Sequence, residues 1–321
     1  MPIASFRQPL IYKYLFVLSY MQRYKASDGK EWSLVGLNKK FKDGTKFIPH
    51  GYFKGSPSPP TAWDKISPVE FQERSTVAAA RDWAGRDTKV RIGVLNFASA
   101  TRRGGGFETG EQAQKVSLTR ASNLSLSLTQ ECADQFYEAH QKDDRDGFYS
   151  NAMIYSKDVT LIRDEKDNWA PPMTVDMLTS AAVNAGLVRR RMSGRPFRRD
   201  DVEKEIDGAM FERMGKILQL FVEKKVRVLV LGSFGTGEPS VLLSTARWSL
   251  NSRPHCSHRG FPELNPSCCN LLGRVARQWW RVLAVFRSRR VCYFGRFYPP
   301  NLPRCIHQDS QCAAVCAGRI Y

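Results

Sequence analysis

Apolar and polar positions alternate between helix-like and strand-like patterns through the first part of the chain. Residues 75–83 are rich in alanine and favour a helix, and residues 90–97 form the nearly continuous apolar run of a buried strand. Further apolar runs at 152–155, 159–162 and 174–179 predict three more strands. Alternation of this kind is typical of an α/β domain.

A second helix–strand pair follows in the same order. Residues 200–225 are highly charged but carry apolar side chains close to a helical stripe, so they predict an amphipathic helix. The run 226–231 then predicts a buried strand and ends in a glycine-rich turn at 232–237. Earlier, the glycine-rich loop 103–110 precedes a predicted helix at 112–128. We therefore predict an α/β fold with a largely covered sheet.

Composition divides the 321 residues into three parts. We predict an irregular lead-in over 1–68, the α/β domain over 69–237, and a tail over 238–321. The whole chain has a formal net charge of +18, and the tail holds 12 arginines, no lysine and seven of the eight cysteines. Since no run of eighteen apolar residues occurs, we expect no membrane span and an intracellular, cytoplasmic or nuclear protein.

The tail has three interpretations. Its cysteines and histidines offer zinc ligands, although no Cys-x2-Cys pair is present. Its arginines, beside Trp279 and Trp280, suit phosphate contacts and base stacking in a nucleic-acid-binding protein. The interpretation that we favour is a non-native segment, from an unspliced intron or a shifted reading frame. Codons for Gly237 and Glu238 can contain the GTGAG that begins many introns, and the tail has no helical or strand periodicity.

The two glycine loops carry the candidate chemistry. Each follows an apolar strand, and ligands of α/β sheets collect at the carboxyl ends of strands. Three adjacent glycines at 104–106 allow backbone N–H groups to approach an anion, and the helix that follows adds its positive end. Ser233 and Thr236 add hydroxyls to the second loop. A diphosphate between the loops is one interpretation, and tight-turn packing alone is the other. Neither loop matches a P-loop or a Rossmann fingerprint.

Several runs, taken together and in order, resemble microbial-type poly(ADP-ribose) glycohydrolases, which are macrodomain proteins. The matching runs lie at 93–100, 104–107, 110, 112–114, 122–124, 153–159, 163–164, 178–186 and 230–237. The resemblance covers about 69–237. It implies a macrodomain-like three-layer α/β/α fold with a mixed sheet that binds ADP-ribose across the strand ends.

The resemblance also assigns binding residues. Asn96 would contact the distal ribose, the first glycine loop would line the ribose and diphosphate, and the second would cradle the diphosphate. The ligand-binding set is Asn96, Gly104, Gly105, Gly106, Phe107, Gly232, Ser233, Phe234, Gly235, Thr236 and Gly237. We expect neither a cofactor nor a metal ion.

The family motif departs at two positions, one of which is its most consequential. The family has Gln-Glu-Glu after the glycine loop, and its second glutamate is the general acid, whereas this chain has Gln114, Lys115 and Val116. Valine cannot donate a proton. Glu111, one helical turn before Lys115, and Gln114 are the remaining candidates for a catalytic or supporting role. The chain is thus a hydrolase of protein-linked ADP-ribosyl groups if active, or a non-catalytic ADP-ribose reader. A basic nucleic-acid-binding protein is a second alternative.

Two further expectations concern the surroundings of the site. The phosphate loop of the family continues into a helix and a last strand, and no equivalent is evident after Gly237, so we expect a sheet truncated there. Six arginines follow the motif at 184–186, in a stretch predicted to be a loop, and would attract polyanions weakly. Their positions are 189, 190, 191, 195, 198 and 199. The expected partner is ADP-ribose or an ADP-ribosylated protein.

Overall fold

The protein is described by a computed structural model over residues 23–35, 38, 44–54, 69–71, 74–103, 114–193, 199–232, 234–235 and 291–295. Within these ranges the strands are β1 (Arg23–Lys25), β2 (Glu31–Ser33), β3 (Thr45–Ile48), β4 (Val69–Phe71), β5 (Ile92–Ala98), β6 (Met153–Arg163), β7 (Trp169–Ala181), β8 (Val228–Gly232) and β9 (Val291–Gly295). The helices are α1 (Thr76–Arg86), α2 (Gln114–Ala121), α3 (Leu124–Leu128), α4 (Glu131–Lys142), α5 (Ala185–Met192) and α6 (Arg199–Glu223).

Seven strands form one mixed sheet in the order β3-β6-β7-β5-β8-β9-β4. Strands β7, β5, β8, β9 and β4 run parallel, whereas β6 is antiparallel to both β7 and β3. The last residues of β5, β7 and β8 therefore lie at one edge of the sheet, together with the first residue of β6. We call this the carboxyl edge and define it by Ala98, Ala181, Gly232 and Met153.

Apolar cores lie on both faces of the sheet, which makes the fold three-layered. On one face, Leu95 and Leu178 pack against Phe221 and Met214 of α6. On the other face, a second cluster joins strand side chains to α1, α2 and α4, with members that include Val94, Val230, Leu118 and Phe136. The predicted α/β fold with a covered mixed sheet is confirmed.

Two predicted elements differ in extent from those in the structure. The predicted helix 112–128 is interrupted because Ser122 Oγ donates to the Leu118 carbonyl at 2.6 Å, and Asn123 Oδ1 accepts from the Thr160 amide at 2.8 Å. The two strands predicted at 152–155 and 159–162 are one strand, β6, with a register shift between Ser156 and Val159.

The basic stretch predicted to be a loop is helical in its first part. Asn184 caps helix α5, since its side-chain oxygen accepts from the Leu187 amide at 2.9 Å. Within α5, Val188 is fully buried. The helix therefore forms because a capping residue is followed by two apolar positions that reach the core, Ala185 and Val188, despite three consecutive arginines.

The structure corrects the expected boundaries of the sheet. The lead-in is not irregular throughout, because Thr45–Ile48 forms the edge strand β3 beside β6. Nor does the sheet stop after β8, because Val291–Gly295, in the tail, pairs with β8 in parallel register. The origin of the tail stays a prediction. Among the described residues, no helix has the length and apolar character needed to cross a bilayer.

Candidate functional site

Asn96 lies near the end of β5, at the carboxyl edge. It is 2% exposed, and its Nδ2 donates to Thr179 Oγ1 at 3.0 Å on the adjacent strand β7. Its Oδ1 atom is buried and has no hydrogen-bond partner within the described part of the chain. A buried amide oxygen of this kind is costly to leave without a partner. The side chain is therefore fixed in orientation with one acceptor open.

The second glycine loop begins with a position that only glycine can occupy without movement. A Cβ on Gly232 would lie 2.5 Å from Phe97 Cζ, so the β8 backbone approaches the ring of Phe97 directly. The amide of Phe234 donates to the Gly232 carbonyl at 2.8 Å, which closes a tight turn. Phe234 is buried, and its ring centroid lies 5.6 Å from that of Phe97. Aromatic packing thus anchors the turn to the end of β5.

Gly235 requires glycine for a second reason, its conformation. Its φ is +87°, in the region that L-residues rarely adopt. A Cβ there would also lie 3.0 Å from Met210 Cε and 3.6 Å from Ala182 Cβ. The turn from 232 to 235, which we call the glycine turn, is therefore held between β5, the end of β7 and helix α6.

Helix α2 points its N-terminus at the same edge. The residue after α2, Ser122, forms a bridge with Leu161, which lies far along β6 from Met153 at the carboxyl edge. Since the C-terminus of α2 lies there, the first turn of the helix, 114–116, is its end nearer to the carboxyl edge. Positions Gln114 and Val116 consequently begin a helix whose positive end is directed to the candidate site.

The remaining predicted site residues lie outside the described part of the chain. They are Gly104, Gly105, Gly106, Phe107, Glu111, Ser233, Thr236 and Gly237. Of the predicted set, the structure brings Asn96, Gly232, Phe234 and Gly235 to the carboxyl edge. Their roles in binding stay predictions.

The sequence analysis did not identify Arg213. This residue holds the loop before β6, at the carboxyl edge, by hydrogen bonds. Arg213 is 1% exposed and donates from Nε to Asn151 Oδ1, from Nη1 to the Ala181 carbonyl, and from Nη2 to the Phe148 and Tyr149 carbonyls, over 2.7–3.1 Å. Burial lowers the pKa of its guanidinium to about 10. One signal was available, because Arg213 lies within the apolar stripe of α6, between Met210 and Ile217.

The loop that Arg213 holds is strained. Arg145, Asp146 and Tyr149 have φ values of +48°, +57° and +55°, which are unfavourable for residues with a Cβ. Strained backbone of this kind persists where the surroundings determine it strongly, and it clusters at functional sites. Arg191 braces the same loop by donating to the carboxylates of Asp144 and Asp146 at 2.7 and 3.2 Å. This arginine, predicted to attract polyanions, is thus paired within the fold.

A pocket of about 290 Å³ opens beside this loop. It is lined by His50, Arg145, Phe148, Tyr149, Asn151, Ala209, Glu212 and Arg213. His50 follows β3, whose last residue pairs with Met153, so the pocket belongs to the carboxyl edge. Burial and the neighbouring Arg145 lower the pKa of His50. His50 lies in the segment predicted to be an irregular lead-in, and no sequence pattern singled it out.

The sheet order and the glycine turn at the carboxyl edge define a macrodomain-like α/β protein. More particularly, the chain resembles microbial-type poly(ADP-ribose) glycohydrolases (PARG). A sequence profile described as "Microbial-type PARG, catalytic domain" matches residues 17–164, which is less than half of the chain. This match begins well before residue 69, where the motifs first suggested the resemblance. No curated protein sequence matches the chain.

Solved glycohydrolase structures share the fold. The PARG of Thermomonospora curvata is 25% identical, with a TM-score of 0.66, over 89% of this chain and 91% of that protein. The same enzyme with the inhibitor ADP-HPD gives 25% identity and a TM-score of 0.63, over 91% and 94% of the two chains. The Deinococcus radiodurans PARG, solved in complex with ADP-ribose, is 24% identical, with a TM-score of 0.59, over 84% and 94%.

Proposed function

We propose that this protein binds ADP-ribose at the carboxyl edge, between the glycine turn after β8 and the first glycine loop after β5. The observation that carries the proposal is the glycine turn itself, which ends a central parallel strand: a Cβ on Gly232 would lie 2.5 Å from Phe97 Cζ, and Gly235 has a φ of +87° that L-residues rarely adopt. Backbone amides exposed by such a turn suit a diphosphate. The likeness to glycohydrolases solved with ADP-ribose or an inhibitor supports the same ligand.

Asn96 and helix α2 supply the polar groups of the proposed ADP-ribose site. The open Oδ1 of Asn96 is an acceptor for a ribose hydroxyl, and the buried bond to Thr179 prevents the amide from turning away. The positive end of α2 faces the same space, which favours the charge of a diphosphate. A fixed acceptor beside an electropositive turn matches a sugar linked to a phosphate.

The chemistry that follows binding depends on position 116. Glycosidic cleavage with a general acid needs a proton donor at the leaving oxygen, and valine at this position cannot supply one. We therefore propose ADP-ribose binding as the main function. Hydrolysis of protein-linked ADP-ribosyl groups is the second candidate, favoured by the similarity to glycohydrolases, and it would proceed by water with support from Gln114 or Glu111.

Calorimetric titration of ADP-ribose into the full chain, beside incubation with ADP-ribosylated protein, tests the proposal. We expect saturable binding without rapid release, and a gain of hydrolysis in Val116→Glu. Gly105→Val should prevent binding by closing the first loop. Rapid release by the unmodified chain would establish the second candidate instead. A folded protein that does not bind ADP-ribose would refute both.

A further inference from the structure

Helix α4 contacts the segment 99–103, in which the chain leaves β5 at the carboxyl edge. Arg103 Nη2 donates to Asp134 Oδ1 of α4 at 2.5 Å, and Gln141 Nε2, two turns further along α4, donates to the Thr101 carbonyl at 3.2 Å. Asp134 and Gln141 are seven residues apart, so both lie on one face of the helix. The exit of β5 is therefore held against α4 at two points.

An aromatic ring supports the same guanidinium. The Cζ atom of Arg103 lies 5.4 Å from the ring centroid of Tyr137, within the range of a cation–π interaction. Tyr137 is 2% exposed and belongs to the core cluster on this face of the sheet. Because the buried ring is fixed by its neighbours, it also fixes the place at which the guanidinium meets Asp134.

Helix α4 is a rigid support for these contacts. Ala133, Phe136 and His140 are fully buried, and His140 Nε2 accepts from Ser150 Oγ at 2.9 Å in the loop before β6. One helix therefore contacts both the exit of β5 and the loop before β6. A change at either contact acts on a support that is itself held by the core.

The segment 99–103 is closed on itself before it reaches α4. Ser99 Oγ accepts from the amides of Thr101 and Arg102 at 3.4 and 3.2 Å, and Ala100 is buried in the core cluster that includes α4. A compact turn of this kind moves as a unit. Its direction is consequently set by the points at which it is attached to the helix.

The contacts with α4 lie on the face of the sheet to which Asn96 points. Side chains alternate between the two faces along a strand. Val94 belongs to the cluster that includes α4, whereas Leu95 belongs to the cluster that includes α6. Asn96 is two residues after Val94 and therefore points to the α4 face. The chain thus leaves β5 on the same face as the open acceptor of Asn96.

We infer that the Arg103–Asp134 ion pair and the Gln141–Thr101 hydrogen bond, together called the α4 clamp, position the ADP-ribose site. Asp134 and Gln141 are positioning residues: they favour the arrangement in which the chain leaves β5 toward the first glycine loop on the side of Asn96. The inference rests on the proposed function, since it assumes ADP-ribose at the carboxyl edge. Without the clamp a smaller fraction of the protein has this arrangement, and the apparent affinity falls by that fraction.

Calorimetric titration of ADP-ribose into the full chain tests the clamp. Asp134→Asn and Arg103→Gln should each bind about fivefold more weakly than the unmodified protein, near the upper limit for an exposed ion pair. Gln141→Leu should bind about threefold more weakly, as for the loss of one hydrogen bond. The matched controls are Glu138→Gln, one turn further along α4, and Arg102→Gln. They remove the same charges from exposed positions outside the clamp and should bind as the unmodified protein does.

Exchange of the two charges separates positioning from direct contact with the ligand. Arg103→Asp and Asp134→Arg should each weaken binding about tenfold, because like charges then face each other. The double variant, in which the ion pair is reversed, should recover most of the affinity. If Arg103 instead contacts the diphosphate, Asp134→Asn keeps or raises the affinity and the reversed pair does not recover it. That result would overturn the inference.

Urea unfolding of each variant shows that binding is measured on folded protein. If the variants of Arg103 and Asp134 do not fold, Gln141→Leu carries the test, and an undiminished affinity in this variant refutes the clamp. If the folded, unmodified chain does not bind ADP-ribose, the proposed function fails and the clamp fails with it. If the unmodified chain binds and the folded clamp variants bind as tightly as the two controls, the clamp alone is wrong.

Discussion

The two sides of the carboxyl edge are built in opposite ways. On the β8 side, the glycine turn is positioned by shape, since the backbone at Gly232 lies against Phe97 and Gly235 lies against Met210. On the β6 side, the loop 145–151 is positioned by polar bonds, three of which come from the single buried guanidinium of Arg213, and a fourth bond ties that guanidinium to the Ala181 carbonyl at the end of β7. The β8 side therefore depends on the absence of side-chain atoms at Gly232 and Gly235, and the β6 side depends on the hydrogen-bond donors of Arg213.

This difference predicts how each side fails. Adding a methyl group to a close-packed turn forces neighbours to move and costs about 1–3 kcal/mol. Removing a buried cation leaves several acceptors without partners, and loss of one member of a buried polar network costs about 3–5 kcal/mol. The β6 side should therefore be the more fragile one, although the β8 side contains the residues most visible in the sequence.

The largest effect is expected for Arg213→Met. The substitution keeps an unbranched side chain but removes every donor to Asn151, Ala181, Phe148 and Tyr149. We expect the free energy of unfolding in urea to fall by about 3–5 kcal/mol. The matched control is Arg190→Met on α5, where the arginine is exposed and the expected change is within about 0.5 kcal/mol. Similar small changes in the two variants would mean that the strained loop does not need its buried cation.

Gly232→Ala should have an intermediate effect. The new Cβ would lie 2.5 Å from Phe97 Cζ, so the ring must shift, at a cost of about 1–3 kcal/mol in unfolding free energy. ADP-ribose affinity should fall with it, as measured by calorimetry, because the displaced ring also packs against Phe234 in the turn.

Gly208→Ala is the control for this substitution. It adds the same methyl group within α6, where no atom lies within 4 Å of the new Cβ. Alanine is the better helix former by up to about 1 kcal/mol, so this variant should be unchanged or more stable. Equal behaviour of the two variants would argue against close packing at Gly232. Phe97→Leu in the Gly232→Ala background should restore part of the lost stability.

The smallest expected effect is a dependence of stability on pH, caused by a histidine next to the loop before β6. His140 is fully buried; its Nδ1 donates to the Phe136 carbonyl at 2.8 Å and its Nε2 accepts from Ser150 Oγ at 2.9 Å, so the neutral ring braces the loop before β6. Burial lowers the pKa of His140 below its unfolded value of 6.5. The unfolded chain therefore takes up the proton first, and stability decreases as the pH falls below about 6.5.

Urea unfolding between pH 7.5 and 5 measures this dependence. One proton taken up by the unfolded state alone lowers the unfolding free energy by at most about 1.4 kcal/mol per pH unit. His140→Gln should flatten the curve in this range. His50, whose pKa is also lowered, should leave a smaller dependence that disappears in a variant with both histidines replaced. A profile unchanged by His140→Gln would assign the acid sensitivity to other groups.

Sequence patterns anticipated the β8 side better than the β6 side, for a physical reason. A buried strand is recognisable in the sequence because it excludes polar residues. The apolar runs that correspond to β5 and β8 were therefore predicted within a few residues of their observed bounds. Glycines that allow the backbone to pack closely are recognisable in the same way, as at Gly232 and Gly235. The burial of an arginine cannot be recognised from the sequence pattern, because an arginine on an amphipathic helix is usually exposed. Arg213 is buried only because four oxygens from distant segments meet around it.

Long-range pairing accounts for the other differences. His50 reaches the pocket because β3 pairs with β6, more than a hundred residues later. The strand β9 extends the sheet beside β8 from within a tail that has no internal periodicity. Neither pairing is encoded by local propensity, since a strand of only four or five residues takes most of its stability from the strands beside it.

The sequence by itself determined the α/β class, the central buried strands and the glycine turn after β8, because apolar runs and glycines act locally on the chain. It also determined that valine, which cannot donate a proton, occupies position 116. The tertiary structure alone decided that His50, Arg145 and Arg213 share one pocket beside the glycine turn. Bringing the like charges of Arg145 and Arg213 together is unfavourable for the isolated chain, and only the packing of α6 and β3 against the sheet holds the two arginines beside His50 at one edge.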